Sequence, residues 1–384
     1  MIDLRLTDEQ ELLRKTVRAF ARDEVAPVIG ELYERGGFPY RLVASLGRMG
    51  LFGLILDEEH GGAGGDFLSL CLALEELARV DSSVAVALSA GVSLGALPLH
   101  RFGSPEQKRR WLPPLSTGGA LAALGLTEPS GGTDAGALRT TAVLDGDTWV
   151  LNGEKCFITN AGTDITSLVT VTAVTGTLPD GGREISTIVV PSGTPGFTVS
   201  PPYSKVGWCA SDTRALSFAD CRVPAENLLG TRGLGLAQSM AVLDESRIAI
   251  AAVGTGLAQG CVDECVRHAR QRETFGRPLA AHQSVRFGIA DMEVRAHTAR
   301  LAWYTAAAAL DRGAGFSKEA AMAKLVSSRA AMENAREATQ VFGGYGLMND
   351  YPVARFYRDA KVLEVGEGTT EVQQMVIAHH LGLG

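Results

Sequence analysis

The chain contains the stretch Leu168-Val169-Thr170-Val171-Thr172-Ala173-Val174, which has the β-branched, apolar character of a buried strand. Similar short segments lie around it at 148–150, 185–190 and 197–199. They predict a small antiparallel β domain over residues 121–232. Turns are expected at three Gly-containing sequences, which are Asp145-Gly146, Asn152-Gly153 and Pro179-Asp180-Gly181-Gly182.

Helical patterns precede and follow this β-rich part. Thr7-Asp8-Glu9-Gln10 is a capping box, and the apolar segments 68–80 and 83–102 predict further helices. Ser104-Pro105-Glu106-Gln107 has the pattern of another helix start. Residues 283–310 predict a long Ala-rich helix.

The segment after this long helix has a row of residues that we expect to face the inside of a helical bundle, called the seam below. Its members recur every four and three residues, which is typical of an antiparallel bundle. They are Ala321, Leu325, Ser328, Met332, Ala335, Thr339 and Phe342.

The sequence therefore predicts an α+β multidomain protein in three parts. These are an N-terminal all-α domain at 1–120, a middle antiparallel β domain at 121–232 and a C-terminal four-helix bundle at 233–384.

Composition limits the function. A net charge of -7 on 384 residues argues against nucleic acid as the main partner. No secretory pattern is expected at Met1-Ile2-Asp3-Leu4-Arg5, and no uninterrupted apolar run is expected to span a membrane. The six cysteines form no C-x-x-C pair, so we expect no metal site and a reducing, cytoplasmic setting.

Two loops are candidate functional sites. Gly366-Glu367-Gly368 places a carboxylate between residues without Cβ, which permits close approach of a ligand; the alternative is a plain inter-helix loop with Glu367 as a cap. Gly125-Leu126-Thr127-Glu128-Pro129-Ser130-Gly131-Gly132-Thr133-Asp134 offers hydroxyls, acids and flexible backbone for a ligand wall. Its alternative is a linker between two domains.

Three segments resemble the acyl-CoA dehydrogenase family. Residues 125–137 are similar to its first fingerprint, and residues 340–359, with Gly343-Gly344-Tyr345-Gly346, are similar to its second. Arg272-Glu273-Thr274-Phe275-Gly276 followed by His282-Gln283 resembles a turn between its bundle helices. The order of helical and β parts also matches over essentially the whole chain.

The resemblance implies a noncovalently bound FAD that accepts the β-hydride of an acyl thioester at flavin N5. Residues implied in FAD binding by this subunit are Leu126, Thr127, Gly132, Thr133, Phe157, Ile158, Thr159, Thr369 and Glu371. Those implied in holding the FAD of a partner subunit are Arg272, Thr274, Phe275, Gln283, Gln340, Gly343 and Gly344. Many family members have an indole where this chain has Phe157.

The same resemblance assigns the base that removes the α-proton. It implies Glu367, with its backbone N–H and a ribityl hydroxyl holding the thioester oxygen. Some family members carry the base on a bundle helix, one residue before an arginine, where this chain has Ser246. Glu245 is one residue off and points about 100° around the helix. Implied substrate contacts are Thr133, Asp244, Arg247 and Gly368.

Partners and alternatives follow from the resemblance too. It implies an acyl-CoA or acyl-carrier-protein substrate, an electron-transferring flavoprotein as acceptor, and a homotetramer built as a dimer of dimers. Residues 82–86 lack the arginine of glutaryl-type members, which disfavours an acyl chain with a terminal carboxylate. A flavin oxidase or monooxygenase on the same scaffold stays open. So does a non-catalytic flavin-binding paralogue, although Glu367 and Arg247 are both present.

Overall fold

A computed structural model describes residues 5–383, and its elements follow the predicted order of helical, β and helical parts. Met1–Leu4, which form most of the stretch in which no secretory pattern was expected, lie outside the described residues, as does Gly384.

The N-terminal part consists of helices with well-defined starts. The Thr7 hydroxyl accepts the Gln10 N–H at 3.2 Å while the Gln10 side chain accepts the Thr7 N–H at 3.0 Å, so the predicted capping box is present. Ser104 and Gln107 form the same pair at 3.2 and 3.0 Å. The helices are α1 Asp8–Phe20, α2 Ala26–Arg35, α3 Tyr40–Arg48, α4 Phe67–Ala78, α5 Ser82–Ser89, α6 Leu97–Phe102 and α7 Pro105–Ser116.

A π-helical segment, Ala90–Ala96, joins α5 and α6 into one helical stretch. By length and composition Ser82–Phe102 is apolar enough to cross a membrane, contrary to the expectation from the sequence. Because 94% of its most apolar window is buried inside the protein, it is a core helix of this fold.

The middle part is an eight-stranded sheet. Its strands are β1 Leu121–Gly125, β2 Thr141–Asp145, β3 Thr148–Thr159, β4 Thr166–Thr177, β5 Arg183–Pro191, β6 Phe197–Val199, β7 Thr213–Pro224 and β8 Leu228–Leu229. The order across the sheet is β6-β7-β3-β2-β4-β5-β8, and β1 pairs with β4. The four predicted strand segments lie within β3, β4, β5 and β6.

The sheet differs from the prediction in two details. Most pairs are antiparallel as expected, but β1 and β2 each run parallel to β4, so the sheet is mixed. Asn152-Gly153 is not a turn, because it lies inside β3 at a break in register with β7. Gly153 has φ +145°, and a Cβ there would stand 2.5 Å from the Thr140 hydroxyl, so glycine serves a bulge at this point.

The C-terminal part packs around one long buried helix. That helix, α8, contacts α4 and α5 on one side and two bundle helices on the other. Four of the seven predicted seam residues are buried, and the other three are partly exposed. The buried ones are Ala321, Ser328, Ala335 and Phe342, and the partly exposed ones are Leu325, Met332 and Thr339. The elements are α8 Gly235–Gln271, β9 Glu273–Thr274, β10 Arg277–Pro278, α9 Gln283–Asp311, α10 Ser317–Phe342, α11 Pro352–Val365 and α12 Thr370–His380.

The buried carboxylate of Asp359 on α11 connects all three parts. Its Oδ1 accepts the Tyr33 hydroxyl at 2.5 Å and the Trp208 backbone N–H at 2.7 Å. Its Oδ2 accepts the Ser82 hydroxyl at 2.6 Å. These donors come from α2, the β6–β7 connection and α5, so one side chain fixes the start of the segment that leads to Glu367.

Candidate active site

The loop between α11 and α12 presents Glu367 in an unusual backbone conformation. Glu367 has φ +54° and Gly368 has φ +93°, both in the left-handed region. A non-glycine residue there is strained, which is more often found at functional sites than elsewhere. Thr369 ends the loop as the N-cap of α12, where its hydroxyl accepts the Val372 N–H at 3.3 Å.

Two buried side chains hold the backbone of this loop. The Lys324 ammonium, on α10 and 0% exposed, donates to the Gly368 carbonyl at 2.6 Å. The Gln373 amide donates to the same carbonyl at 3.0 Å and to the Glu367 carbonyl at 3.4 Å. A Cβ at residue 368 would stand 2.7 Å from the Gln373 Nε2, and φ +93° strains any other residue, so glycine suits this position.

The Glu367 carboxyl group lies against α8. The Ser246 hydroxyl donates to its Oε2, and Ser246 in turn lies 3.1 Å from the Ser93 hydroxyl of the π-helical segment. Both serines are 0% exposed. Ser246, considered from the sequence only as the position of a rival base, thus contacts Glu367 directly.

The pKa of Glu367 is raised to about 7, chiefly because burial removes its carboxylate from water. The Ser246 hydroxyl, the Lys324 ammonium and the Arg247 guanidinium oppose that shift by favouring the charged form. Burial lowers the pKa of Lys324 to about 8. A carboxyl group that titrates near neutrality can both accept and release a proton under physiological conditions.

The side chains of Arg247 and Glu245 have different ion-pair partners. Arg247 is 5% exposed, forms an ion pair with Asp244, and has a buried Nε without a hydrogen-bond partner among the described residues. Glu245 is 3% exposed and pairs with Arg101 at 2.7 Å. The structure therefore gives Glu245 its own cation on α6, while an unused donor of Arg247 remains near Glu367.

The loop from Gly125 to Asp134 is fixed by a buried ion pair that the sequence did not reveal. The ammonium of Lys155 lies 2.8 Å from Glu128 and donates to the Leu126 carbonyl at 3.0 Å. The Thr127 carbonyl accepts the Cys156 N–H at 2.9 Å. The loop thus lies beside the end of β3, next to Phe157-Ile158-Thr159.

At this end of β3, one aromatic side chain is exposed to solvent while its neighbours are buried. Phe157 has φ +60° and is 65% exposed, whereas Ile158 and Leu126 are 3% and 8% exposed. Gly132 and Thr133 are exposed in the facing loop. An open aromatic side chain beside backbone amides suits a flat, polar-edged ring system such as the expected flavin.

A second group of predicted residues lines a cavity of about 470 Å³. Arg272, Thr274, Gly343 and Gly344 lie on its wall, beside the half-exposed ring of Tyr345. A Cβ at Gly343 or Gly344 would meet nothing within 4 Å, so the backbone is open to a ligand there. Arginine with open glycine amides is a donor set that fits a diphosphate.

The remaining predicted residues lie near these groups without lining the cavity. Phe275 has φ +51° and is 96% exposed, and Gln283 and Gln340 are exposed. Glu371 lies in the first turn of α12, where its own backbone amide and the Thr369 hydroxyl hold its pKa below the ordinary value. Within residues 5–383, no hydrogen bond or ion pair joins the cavity to Glu367. Among the described residues, the cavity and the Glu367 loop are therefore two separate regions.

Sequence reasoning missed four residues that shape these surroundings. They are Ser93, Lys155, Lys324 and Gln373. Only Lys324 had a readable signal, because a lysine amid Ala320, Ala321 and Ala323 on an inward helix face needs a buried acceptor.

Comparisons with known proteins agree over the whole chain. Models of the acyl-CoA dehydrogenase N-terminal, middle and C-terminal domains match residues 7–119, 123–221 and 233–382. Probable acyl-CoA dehydrogenase YngJ of Bacillus subtilis (strain 168) is 44% identical over 99% of this chain and 100% of its own length.

Solved structures give the same result. Butyryl-CoA dehydrogenase from Megasphaera elsdenii is 42% identical with a TM-score of 0.95, and the match covers 99% of this chain and 100% of that one. A chain in a structure of the electron transferring flavoprotein of Acidaminococcus fermentans is 41% identical with a TM-score of 0.95 and 99% coverage of both chains.

The buried charge of Lys324 gives a testable property of the site. Lys324→Met removes a cation that favours the carboxylate, so the pKa of Glu367 should rise above about 7. Infrared titration of the protonated carboxyl band, with Glu367→Gln as the subtraction, measures it. Lys361→Met, which removes an exposed partner of Glu364 at 2.8 Å, is the control and should leave the titration unchanged. An unchanged or lower pKa in Lys324→Met would contradict this electrostatic role.

Proposed function

Because the chain belongs to the acyl-CoA dehydrogenase family, we propose that it converts the Cα–Cβ bond of an acyl-CoA thioester into a double bond, with Glu367 removing the α-proton. The chain is an FAD-dependent oxidoreductase. The observation that carries the base assignment is the buried Glu367 carboxyl group. It lies on a left-handed turn, accepts the Ser246 hydroxyl at Oε2, and has a pKa that burial raises to about 7.

Glu367 contributes two groups to the reaction. Ser246 donates to Oε2, which leaves Oε1 to take the α-proton. The Glu367 N–H has no acceptor among the described residues, whereas the neighbouring Gly366 N–H is bound to the Val362 carbonyl at 2.8 Å. The free N–H donates to the thioester oxygen as negative charge develops there, which stabilises the enolate-like transition state. The left-handed φ of Glu367 aligns both groups.

Arg247 and Asp244 position the substrate. The ion pair with Asp244 holds the Arg247 guanidinium in place. Its positive charge acts on Glu367, so Arg247 would position the thioester next to the base. Thr133, on the exposed loop of the β domain, and the backbone of Gly368 complete the substrate contacts. Holding the α-carbon against Oε1 is the main contribution of these residues to the rate.

The residues at both predicted cofactor regions fit FAD. The open Phe157 side chain and the loop from Leu126 to Thr133 would flank the ring system, while Thr369 and Glu371 would contact the same FAD near its diphosphate. The cavity beside Arg272 and Gly343 would hold the FAD of a partner subunit, joined by Thr274, Phe275, Gln283, Gln340 and Gly344. When bound, FAD accepts the β-hydride, and its electrons pass to an electron-transferring flavoprotein.

Three finer assignments complete the proposal. The relatives named as short-chain or butyryl-CoA enzymes support a short acyl group on CoA. All six cysteines are free thiols, which supports a reducing cytoplasmic setting. The domains are assigned to 1–120, 121–232 and 233–384, supported by the change from α7 to β1 and from β8 to α8.

The function is tested by the fate of the bound FAD. We expect butyryl-CoA to bleach the flavin absorbance anaerobically, and the rate of bleaching to rise with pH through about 7 as Glu367 ionises. Reoxidation should be fast with an electron-transferring flavoprotein and slow with air, because product and protein keep oxygen from a closed site. Stopped-flow absorbance measures both steps.

Rapid, stoichiometric hydrogen peroxide production in air would replace this function by that of an oxidase. Absence of bleaching with any acyl thioester would support a non-catalytic flavin-binding protein. Bleaching only by a thioester on an acyl carrier protein would keep the chemistry and change the substrate.

The split site predicts the assembly. We propose a homotetramer built as a dimer of dimers with one FAD per chain. It is supported by the 96% exposure of Phe275 beside a cavity that, among residues 5–383, no hydrogen bond or ion pair links to Glu367. Phe275→Asp should weaken assembly and lower FAD content together, since the ring would face a partner subunit. Leu12→Asp, at a 66% exposed position on α1, is the matched control. Sedimentation with flavin absorbance measures both, and a flavin-loaded wild-type monomer would rule out this assembly.

A further inference from the structure

A line of hydroxyl groups leads from the base into the protein. Ser246 contacts the Glu367 Oε2, Ser93 lies 3.1 Å from Ser246, and the Ser93 hydroxyl donates to the Ser89 carbonyl at 2.6 Å. Ser93 and Ser246 are 0% exposed, so water does not complete their hydrogen bonds from outside. The three contacts along this line must therefore be made with the protons of Glu367, Ser246 and Ser93 alone.

Counting those protons shows which state of Glu367 satisfies the line. With Glu367 ionised, Ser246 must donate to the carboxylate, and the single proton of Ser93 serves either Ser246 or the Ser89 carbonyl. One contact then lacks a proton. With Glu367 protonated, the carboxyl donates to Ser246, Ser246 to Ser93, and Ser93 to the Ser89 carbonyl. All three contacts then hold a proton and point the same way.

We propose that Ser246 and Ser93 are positioning residues that form a reversible hydroxyl relay, whose direction reverses when Glu367 takes up a proton. In the ionised state Ser246 orients the carboxylate through Oε2. In the protonated state the Ser246 hydroxyl accepts the proton of Glu367 and turns to donate to Ser93, which donates to the Ser89 carbonyl. This arrangement stabilises the acid that proton abstraction produces. No proton leaves the site by this route, because the Ser89 carbonyl only accepts.

The relay rests on the proposed function for the source of its proton, which is the α-carbon of the thioester. Other groups also act on Glu367. Burial favours the protonated form, whereas the Lys324 ammonium on α10 and the Arg247 guanidinium on α8 favour the carboxylate. Neither cation contacts Ser93 by a hydrogen bond within the described residues, so substitution of Ser93 isolates the relay.

The two serines should shift the titration of Glu367 by different amounts. Ser246→Ala removes one charge-assisted bond from the ionised state and two neutral contacts from the protonated state. Because a charge-assisted bond is worth about two neutral ones, the pKa of Glu367 should stay nearly unchanged. Ser93→Ala removes two neutral contacts from the protonated state but one from the ionised state, so the pKa of Glu367 should fall. That fall should be roughly 0.4 to 1 pH unit, the equivalent of one hydrogen bond.

The experiment uses FAD-loaded enzyme and two readouts. Infrared titration of the carboxyl band without substrate, with Glu367→Gln as the subtraction, reports the relay directly. The pH profile of butyryl-CoA-driven flavin bleaching should follow the infrared titration for each variant. Ser116→Ala removes another buried hydroxyl, which donates to the His60 carbonyl at 2.9 Å, and should move neither readout. Ser93→Cys provides a smaller shift of the same sign if Ser93→Ala fails to fold.

The outcomes separate the relay from the function. No shift or a rise for Ser93→Ala, or a fall for Ser246→Ala as large as that for Ser93→Ala, would overturn the relay. The expected infrared shifts together with normal bleaching in Glu367→Gln would leave the relay standing and remove Glu367 as the base.

Discussion

The carboxylate of Asp359 is the interaction on which the arrangement of the site depends. It accepts hydrogen bonds from Tyr33, Ser82 and the Trp208 backbone, so helices from both ends of the chain and the β domain meet at one buried group. Next to it, the buried Arg355 pairs with Asp81 at 2.9 Å. Groups of this kind are costly to leave unpaired, and together they specify one relative placement of the three parts.

That placement affects the position of Glu367 in two ways. Trp208 lies close to Gly366, since a Cβ there would stand 3.7 Å from the indole ring. Asp359 also fixes α11, whose end leads into the strained loop at Glu367. The strain is held by Lys324 and Gln373, which bind the carbonyls of the loop. A domain-scale constraint and local hydrogen bonds thus act on the same backbone atoms.

The sequence predicted what depends on near neighbours along the chain. Capping boxes at Thr7 and Ser104 and the strands around 168–174 follow local rules, and all are present. The parallel pairing of β1 and β2 with β4 was missed, because strand order depends on contacts between distant segments. Gly153 looked like a turn residue because a glycine pattern alone does not distinguish a bulge from a turn.

In the candidate site, too, the sequence predicted local motifs but not the contacts between distant segments. Glu367 and the Arg272 and Gly343 segments were predicted from motifs, and the structure places the latter two on one cavity wall. The partners that tune Glu367 were not found. Ser93 and Ser246 are separated by 153 residues in sequence, and nothing in either segment alone indicates their contact. The same holds for Lys155 and Glu128, whose ion pair supports the loop beside Phe157.

The most direct measurement is single-turnover reduction of bound FAD in Glu367→Gln, since it reports the chemical step without the electron acceptor. The substitution keeps size and one hydrogen-bonding oxygen, so folding and FAD content should survive. We expect the rate of flavin reduction to fall at least about a hundredfold, the low end for loss of a positioned base. Glu245→Gln, whose carboxylate pairs with Arg101, should cost far less. Reduction of Glu367→Gln at the rate of the parent enzyme, with a large loss in Glu245→Gln, would contradict Glu367 as the base.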